Sequence, residues 1–267
     1  MSDSNGKRRQ KPRSALSRGA ARASGGSVKI YGIHAVDAAL CNPGRTVHRL
    51  LLTDNAERRL RSQLELRQLA HERVSPRDLD RQLGPDTVHQ GALLETDPLA
   101  EPTLSELLDL TETRPLLALD QVTDPHNVGA ILRSAAVFGA AGLVLTRRHS
   151  PPLDGTLAKS ASGALEHVPV HLAPNLARAL AEIKDIGATV IGLDGDAPER
   201  LEELVLPERT AFVLGAEGKG LRQLTRESCD RLARISTGGP LASLNVSNAA
   251  AIALHWAASL RLGLIAR

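Results

Sequence analysis

The sequence predicts a two-part α/β protein whose larger, carboxyl-terminal part is built on a parallel sheet. Three observations predict it. Short apolar runs alternate with helical patterns from Val28 onwards. In the second half those runs are apolar almost throughout, as strands covered on both faces require. The stretch DPLAEP (97–102), with two prolines, then divides the chain. At 267 residues there is room for two domains.

The elements follow in order. Residues 1–27 hold seven basic residues and one acid, Asp3, with almost nothing to bury, so they read as a disordered basic tail. The chain has 33 basic and 30 acidic residues, which leaves 26 and 29 for 28–267. The basicity therefore belongs to the tail. Such a tail engages phosphates without sequence preference or serves only as a solubilising extension, with an organellar transit peptide a third reading that the missing apolar face disfavours. KIYG (29–32) predicts a strand leading into a helix over 34–40. HRLLLTD (48–54) predicts a strand, ERRLRSQLELRQLAHE (57–72) a charged amphipathic helix, and VHQGALLET (88–96) a strand.

Beyond the 98–102 linker, TLSELLDL predicts a helix and RPLLALDQV (114–122) a strand. DPHNVGAILRSA opens a helix that Asn127 can cap and Gly139 can end. GLVLTR (142–147), HVPVHL (167–172), TVIGLD (189–194) and TAFVLGAE (210–217) predict strands, and LARALAEIKDIG (176–187) a helix. The last helix runs from about Asn248 to Leu262.

Composition excludes several classes of function. Aromatic residues are 1% of the chain, which leaves few platforms for stacking bases. The two cysteines, Cys41 and Cys229, form neither a metal-like cluster nor a disulfide framework and read as buried, inert thiols. No apolar run approaches the roughly 20 residues of a membrane span, and a reducing cytoplasm fits. No Walker-type GxxxxGK[ST] is present, and no GxGxxG follows the first strand of the second domain, which disfavours ordinary nucleotide sites.

Ligands of open α/β sheets bind beyond the carboxyl ends of the strands, and three polar or glycine-rich segments fall there. In DPHNVGAILRS, Arg133 is the one charge in an apolar helix, with Gly129, Ala130, Ala136 and Val137 one turn away. LGAEGKGL (214–221) sets Gly215, Gly218 and Gly220 around Glu217; this suits either a backbone cradle for a ligand or a plain strand-to-helix turn. ISTGGPLASLNVSNAAA (235–251) brings Ser243, Asn245, Ser247 and Asn248 before an alanine-rich helix, more caps than one helix needs. One cation, one anion and several amides suit a hydroxyl beside a phosphate. His126 reads either as a neighbour of that site or as a loop residue.

Together, NVGAILRSA, FVLGAEGKGL and SLNVSNAAAIAL, in this order and spacing, resemble the motifs of the SpoU (TrmH-type) RNA 2′-O-ribose methyltransferases. KSASGALEHVPV (159–170) looks like a connecting segment of that family, and the part from IYGIHAV to VHQGALL resembles its ribosomal-protein-like RNA-binding domain. The resemblance covers about residues 28–262 and is nearest to enzymes that methylate a guanosine in the peptidyl-transferase region of 23S rRNA. It implies a small α/β RNA-binding domain (28–97) and a knotted α/β domain (SPOUT fold, trefoil knot) over 103–267. It also implies a homodimer, no metal, and S-adenosylmethionine held by backbone at Gly215, Ile235 and Leu244. The RNA partner would be 23S rRNA or a large-subunit precursor. Arg133 is expected to act on the ribose 2′-hydroxyl; because guanidinium keeps its proton to a pKa above about 12, steadying the forming oxyanion asks less of it than serving as base. Asn127 and Glu217 are expected to hold Arg133 and nearby loops, and Ser243 and Asn245 to line the nucleotide pocket. Two glycines in STGGPLAS stand where a proline is more usual beside the isoleucine. The same reaction on a tRNA guanosine, and a non-catalytic RNA-binding assembly factor, are the alternatives.

Overall fold

The computed structural model of the chain describes residues 26–109, 113–240 and 243–265. The expected tail lies outside them apart from Gly26 and Ser27, as does Leu110 at the end of TLSELLDL. The chain opens with β1 (Val28–Tyr31), α1 (Ile33–Cys41), β2 (Val47–Leu52), α2 (Asp54–Arg67), β3 (Glu72–Arg73), α3 (Pro76–Leu83) and β4 (Ala92–Thr96). The strands form one sheet in the order β1-β4-β2-β3, antiparallel on both sides of β4 and parallel between β2 and β3.

Helix α2 starts three residues before the expected 57–72, because Thr53 caps it and Asp54 and Glu57 favour its amino end. It stops at Arg67, where Gln68 turns left-handed (φ 50). The expected strand over 88–96 shrinks to β4 because Gln90 and Gly91 both take positive φ. Helix α3 was not among the expected elements, although Ser75 and Asp78 form a capping box and Pro76 opens the helix.

The second part comprises α4 (Leu104–Asp109), β5 (Leu116–Asp120), α5 (Pro125–Phe138), β6 (Gly142–Thr146), α6 (Gly155–Ser160), β7 (Val170–Ala173), α7 (Leu176–Asp185), β8 (Thr189–Leu193), β9 (Glu199–Arg200), β10 (Thr210–Gly215), α8 (Gln223–Glu227), β11 (Arg231–Arg234) and α9 (Val246–Arg261). Its seven strands are all parallel, in the order β7-β6-β5-β10-β8-β11-β9. The strand period of two assigns the faces. Leu117, Leu119, Leu143, Leu145, Phe212 and Leu214 pack in the cluster that includes α5 and α9. Leu116, Ala118, Val144, Ala211 and Val213 pack with α4 and α7 on the other face. Both faces are covered, which explains the unbroken apolar runs.

The two parts meet across a buried ion pair. Arg45, just after α1, pairs with Glu166, just before β7, at 2.8 Å, and both side chains are 2% exposed. Asn42 donates to the same carboxylate at 2.8 Å, and Arg45 Nη1 donates to the carbonyl of Asp97 at 2.7 Å. A Cβ on Gly155 would meet the Tyr31 ring at 2.4 Å, so β1 lies directly on α6. Within the expected linker, Glu101 accepts from Arg147 Nη2 and from the backbone N–H of Leu172.

The reading of both cysteines as buried needs correction. Cys41 is exposed at the end of α1, where the side chain of the last turn faces outward, and Cys229 is half-buried. Burial, and then Asp230, push the Cys229 thiol up to about 12.

Candidate active site at the strand ends

The carboxyl end of β5 sets the site. Asp120 lies beside Gly215 in the parallel register of β5 and β10, so the loops after the two strands leave from neighbouring points. After β5 the chain turns through Gln121 at φ 61 into α5. Here the expected cap moves. Asp124, not Asn127, caps α5: its Oδ1 accepts from the His126 N–H at 2.9 Å, with Pro125 in the first turn. Proline at the first helical position fixes φ and lacks an N–H that would otherwise go unpaired. Asn127 therefore sits within the first turn with its amide side chain released from capping. His126, considered as a loop residue, also lies in that turn, with Nδ1 3.5 Å from Ser160 Oγ.

That released amide is where the three segments meet. Asn245 Nδ2 donates to Asn127 Oδ1 at 3.0 Å. The Nδ2 atoms of both residues approach Glu217 Oε2, each at 3.5 Å. Asn245 is the cap of α9, its Oδ1 accepting from the N–H of Ser247 at 2.8 Å and from Ser247 Oγ at 2.5 Å. Ser243 and Leu244, both exposed, lead into it. One carboxylate and two amides from three separate loops thus form a polar cluster at one end of the sheet.

Arg133 stands differently from its expected setting. It is exposed on α5, and among the described residues no hydrogen bond or ion pair engages its guanidinium. Asn127 and Glu217 bond each other and Asn245, not Arg133. Gly129, one turn before it, is buried, and a Cβ there would meet Ser160 Cβ at 2.6 Å and the Ser160 and Ala161 backbone within 2.9 Å. The missing side chain lets α6 touch α5.

The glycine loop after β10 folds back on its own strand. Gly220 N–H donates to the Ala216 carbonyl at 2.8 Å, and a Cβ on Gly215 would lie 2.1 Å from the Gly220 carbonyl carbon. Gly218 and Gly220 have positive φ (77 and 64), with open space where their side chains would be. Ile235 follows β11 and packs against the main core, and Leu244 is 40% exposed. Exposed backbone flanked by aliphatic side chains fits a ligand with an adenine ring and a slender amino-acid chain. Among the described residues no group of three or more His, Cys, Asp or Glu could hold a metal ion.

A sequence model of RNA 2′-O ribose methyltransferase substrate binding matches residues 29–102, and that of the SpoU rRNA methylase family matches residues 114–255. The chain belongs to the SpoU rRNA methylase family. It is an RNA 2′-O-ribose methyltransferase of the SPOUT fold that uses S-adenosylmethionine. It is 42% identical over 233 residues to the 23S rRNA (guanosine-2′-O-)-methyltransferase RlmB of Pseudomonas aeruginosa, covering 85% of this chain and 94% of that one. The structure of the SpoU methyltransferase AviRb from Streptomyces viridochromogenes with the cofactor AdoMet superposes at a TM-score of 0.74 and 25% identity, covering 89% of this chain and 91% of that one. A structure concerned with 2-OH methylation on tRNA matches at 0.52 and 27% identity, covering 99% of that chain and 57% of this one.

Sequence reasoning passed over Asp120 and Arg222. The available signal was an acid ending an otherwise apolar strand.

Proposed function

We propose that the chain methylates the ribose 2′-oxygen of a guanosine in the peptidyl-transferase region of 23S rRNA. The meeting of Asn127, Glu217 and Asn245 at the strand ends, with an exposed Arg133 further along α5, carries this reading. The first domain supports rRNA over tRNA: the tRNA-directed structure is matched over nearly its whole length by only 57% of this chain, whereas the rRNA-directed relative takes in both parts.

S-adenosylmethionine, when bound, supplies an electrophilic methyl group on a sulfonium. Gly215, Ile235 and Leu244 hold it, largely through backbone groups. Arg133 donates to the 2′-oxygen as negative charge develops there and contacts the adjacent phosphate, and the hydroxyl proton passes to solvent water as the methyl arrives. Asn245 and Ser243 line the nucleotide pocket. Asn127 and Glu217 keep Asn245 and the glycine loop in register with α5, which fixes the approach of the two reactants.

The reading includes a homodimer. Val137 on α5 and Ile252 on α9 are exposed apolar residues on two packed helices, 76% and 38% accessible, the kind of surface that a second copy covers. It also includes a trefoil knot, supported by the return of α9 across β10 to α5 after the chain has left for β11. The reading also includes a cytoplasmic location, supported by the ribosomal-RNA target of the RlmB relative. Among the described residues no helix is long and apolar enough to cross a membrane.

Mapping of 2′-O-methyl groups in total RNA from cells with and without the protein tests the target. One guanosine mark in 23S rRNA is expected to disappear. Loss of a tRNA mark with rRNA unchanged would overturn the assignment, and loss of neither would favour a non-catalytic assembly factor.

A further inference from the structure

Asp120 has no part in the mechanism above, yet it is the one acid in β5 and is fully buried. A leucine, like its neighbours, would pack there without the cost of burying a carboxylate. Among the described residues its carboxylate is taken up by a single one. Arg222 donates its backbone N–H to Oδ2 at 3.0 Å, Nε to Oδ1 at 2.8 Å and Nη2 to Oδ1 at 2.7 Å. Arg222 caps the start of α8 and is itself half-exposed.

The position of this pair matters more than its strength. Asp120 is the register partner of Gly215, so the residues at both ends of the 216–221 loop, Gly215 and Arg222, are tied to the same point of the sheet. Inside the loop, Gly220 bonds Ala216, which only closes the loop on itself. Across to other elements, Glu217 reaches the two asparagines at 3.5 Å, the outer limit of a hydrogen bond. The charge-assisted contacts to Asp120 are shorter and hold a loop that carries Glu217. The turn through Gln121 at φ 61, directly after Asp120, adds a strained residue at the same corner.

We propose that Asp120 and Arg222 form a latch that sets the position of the 216–221 loop for S-adenosylmethionine. Both are positioning residues: they act through the loop and touch neither cofactor nor RNA. The proposal rests on the reading of that loop as the cofactor cradle.

The test compares Arg222→Gln and Arg222→Lys with the wild-type full chain. Calorimetry reads the Kd for S-adenosylmethionine, steady-state kinetics read KM for each substrate, and thermal unfolding reads stability. The retained backbone N–H still bonds Asp120 and the Arg222 side chain is half-exposed, but the buried carboxylate loses its counter-charge, so binding is read well below the Tm of each variant. Arg222→Gln is expected to weaken S-adenosylmethionine binding about tenfold, the scale of one hydrogen bond to a charged group. KM for RNA should change less than the Kd for S-adenosylmethionine, since Asn245 keeps its 3.0 Å bond to Asn127 when Glu217 shifts with the loop. Arg222→Lys, which restores the charge without the fork, should recover part of the loss.

A lowered Tm with unchanged S-adenosylmethionine affinity would overturn the proposal and leave the pair as a structural tie. Gly215→Ala separates this outcome from failure of the cradle itself. If Gly215→Ala loses the cofactor and Arg222→Gln does not, the cradle stands and the latch falls. If neither changes binding, both fall.

Discussion

Replacing Gly215 by alanine adds one methyl group at the most crowded point of the site. That Cβ would lie 2.1 Å from the Gly220 carbonyl carbon, 2.2 Å from its oxygen and 2.3 Å from the Leu221 nitrogen. Ordinary contact begins at 3.4 Å, so the backbone must retreat by about 1.3 Å. No side chain can swing aside, because every atom met is main chain. Downstream, Leu221 is buried and Arg222 is tied to Asp120, so the loop can move only by lifting away from β10. Glu217 already stands 3.5 Å from both asparagine amides, and a lift of that size takes it out of reach. Overpacking of this kind costs about 1–3 kcal/mol, a fall in Tm of roughly 2–4 °C for each kcal/mol in a chain of this size. The loss of affinity for S-adenosylmethionine should be about tenfold for each 1.4 kcal/mol, read by calorimetry beside a thermal melt. Gly218→Ala is the control: its Cβ meets nothing within 4 Å, so only left-handed backbone strain of about 1 kcal/mol is added. Equal affinities in wild type and Gly215→Ala would refute the assignment of this loop to the cofactor.

Arg133→Ala should abolish methyl transfer while leaving S-adenosylmethionine affinity nearly unchanged; equal loss of both would show a structural arginine instead. Glu166→Gln leaves the buried Arg45 without its counter-charge and should cost about 3–5 kcal/mol in urea unfolding. A loss below about 1 kcal/mol, the level of an exposed pair, would contradict the burial of this pair, and Arg45→Met combined with Glu166→Leu should recover most of the stability. Cys229, raised from 9.0 to about 12 mainly by burial, stays protonated in the folded chain while the unfolded thiol ionises. Between those values the folded state binds more protons, so this contribution is full below pH 9 and declines as pH rises. Cys229→Ala should flatten the alkaline fall in urea midpoint, and an unchanged slope would refute the assignment.

Much of the catalytic sheet was legible because its strands are buried on both faces, so that LLAL, GLVL and AFVL carry the signal without help from distant residues. The short or polar elements were not. β9, α8 and β11 are two to five residues long, rich in arginine and glutamate, and are held by partners such as Arg231 and Glu199 that lie 32 residues apart. In DPHN two residues can cap, and the proline between them decides for Asp124. The choice was available in the sequence, since proline favours the first helical position. The polar cluster was not legible as contacts, because Asn127 and Asn245 lie 118 residues apart and meet only through the placement of β10 beside β5 and of α9 against α5. The contact that Gly129 allows was not legible, because GTLAKS, the helix it receives, follows two prolines and is only six residues long.

The buried Arg45–Glu166 pair bears on how such an enzyme can acquire a new target. A front half taken from another protein would have to bring a guanidinium to meet Glu166, an amide like Asn42 beside it, and a ring shaped like Tyr31 against Gly155. A graft lacking them would strand a carboxylate in an apolar seam and open a gap next to the helix on which α5 rests. Module exchange is therefore a poor route to new specificity in this chain. Substitutions on the exposed faces of the first domain, which leave the seam intact, are the open one.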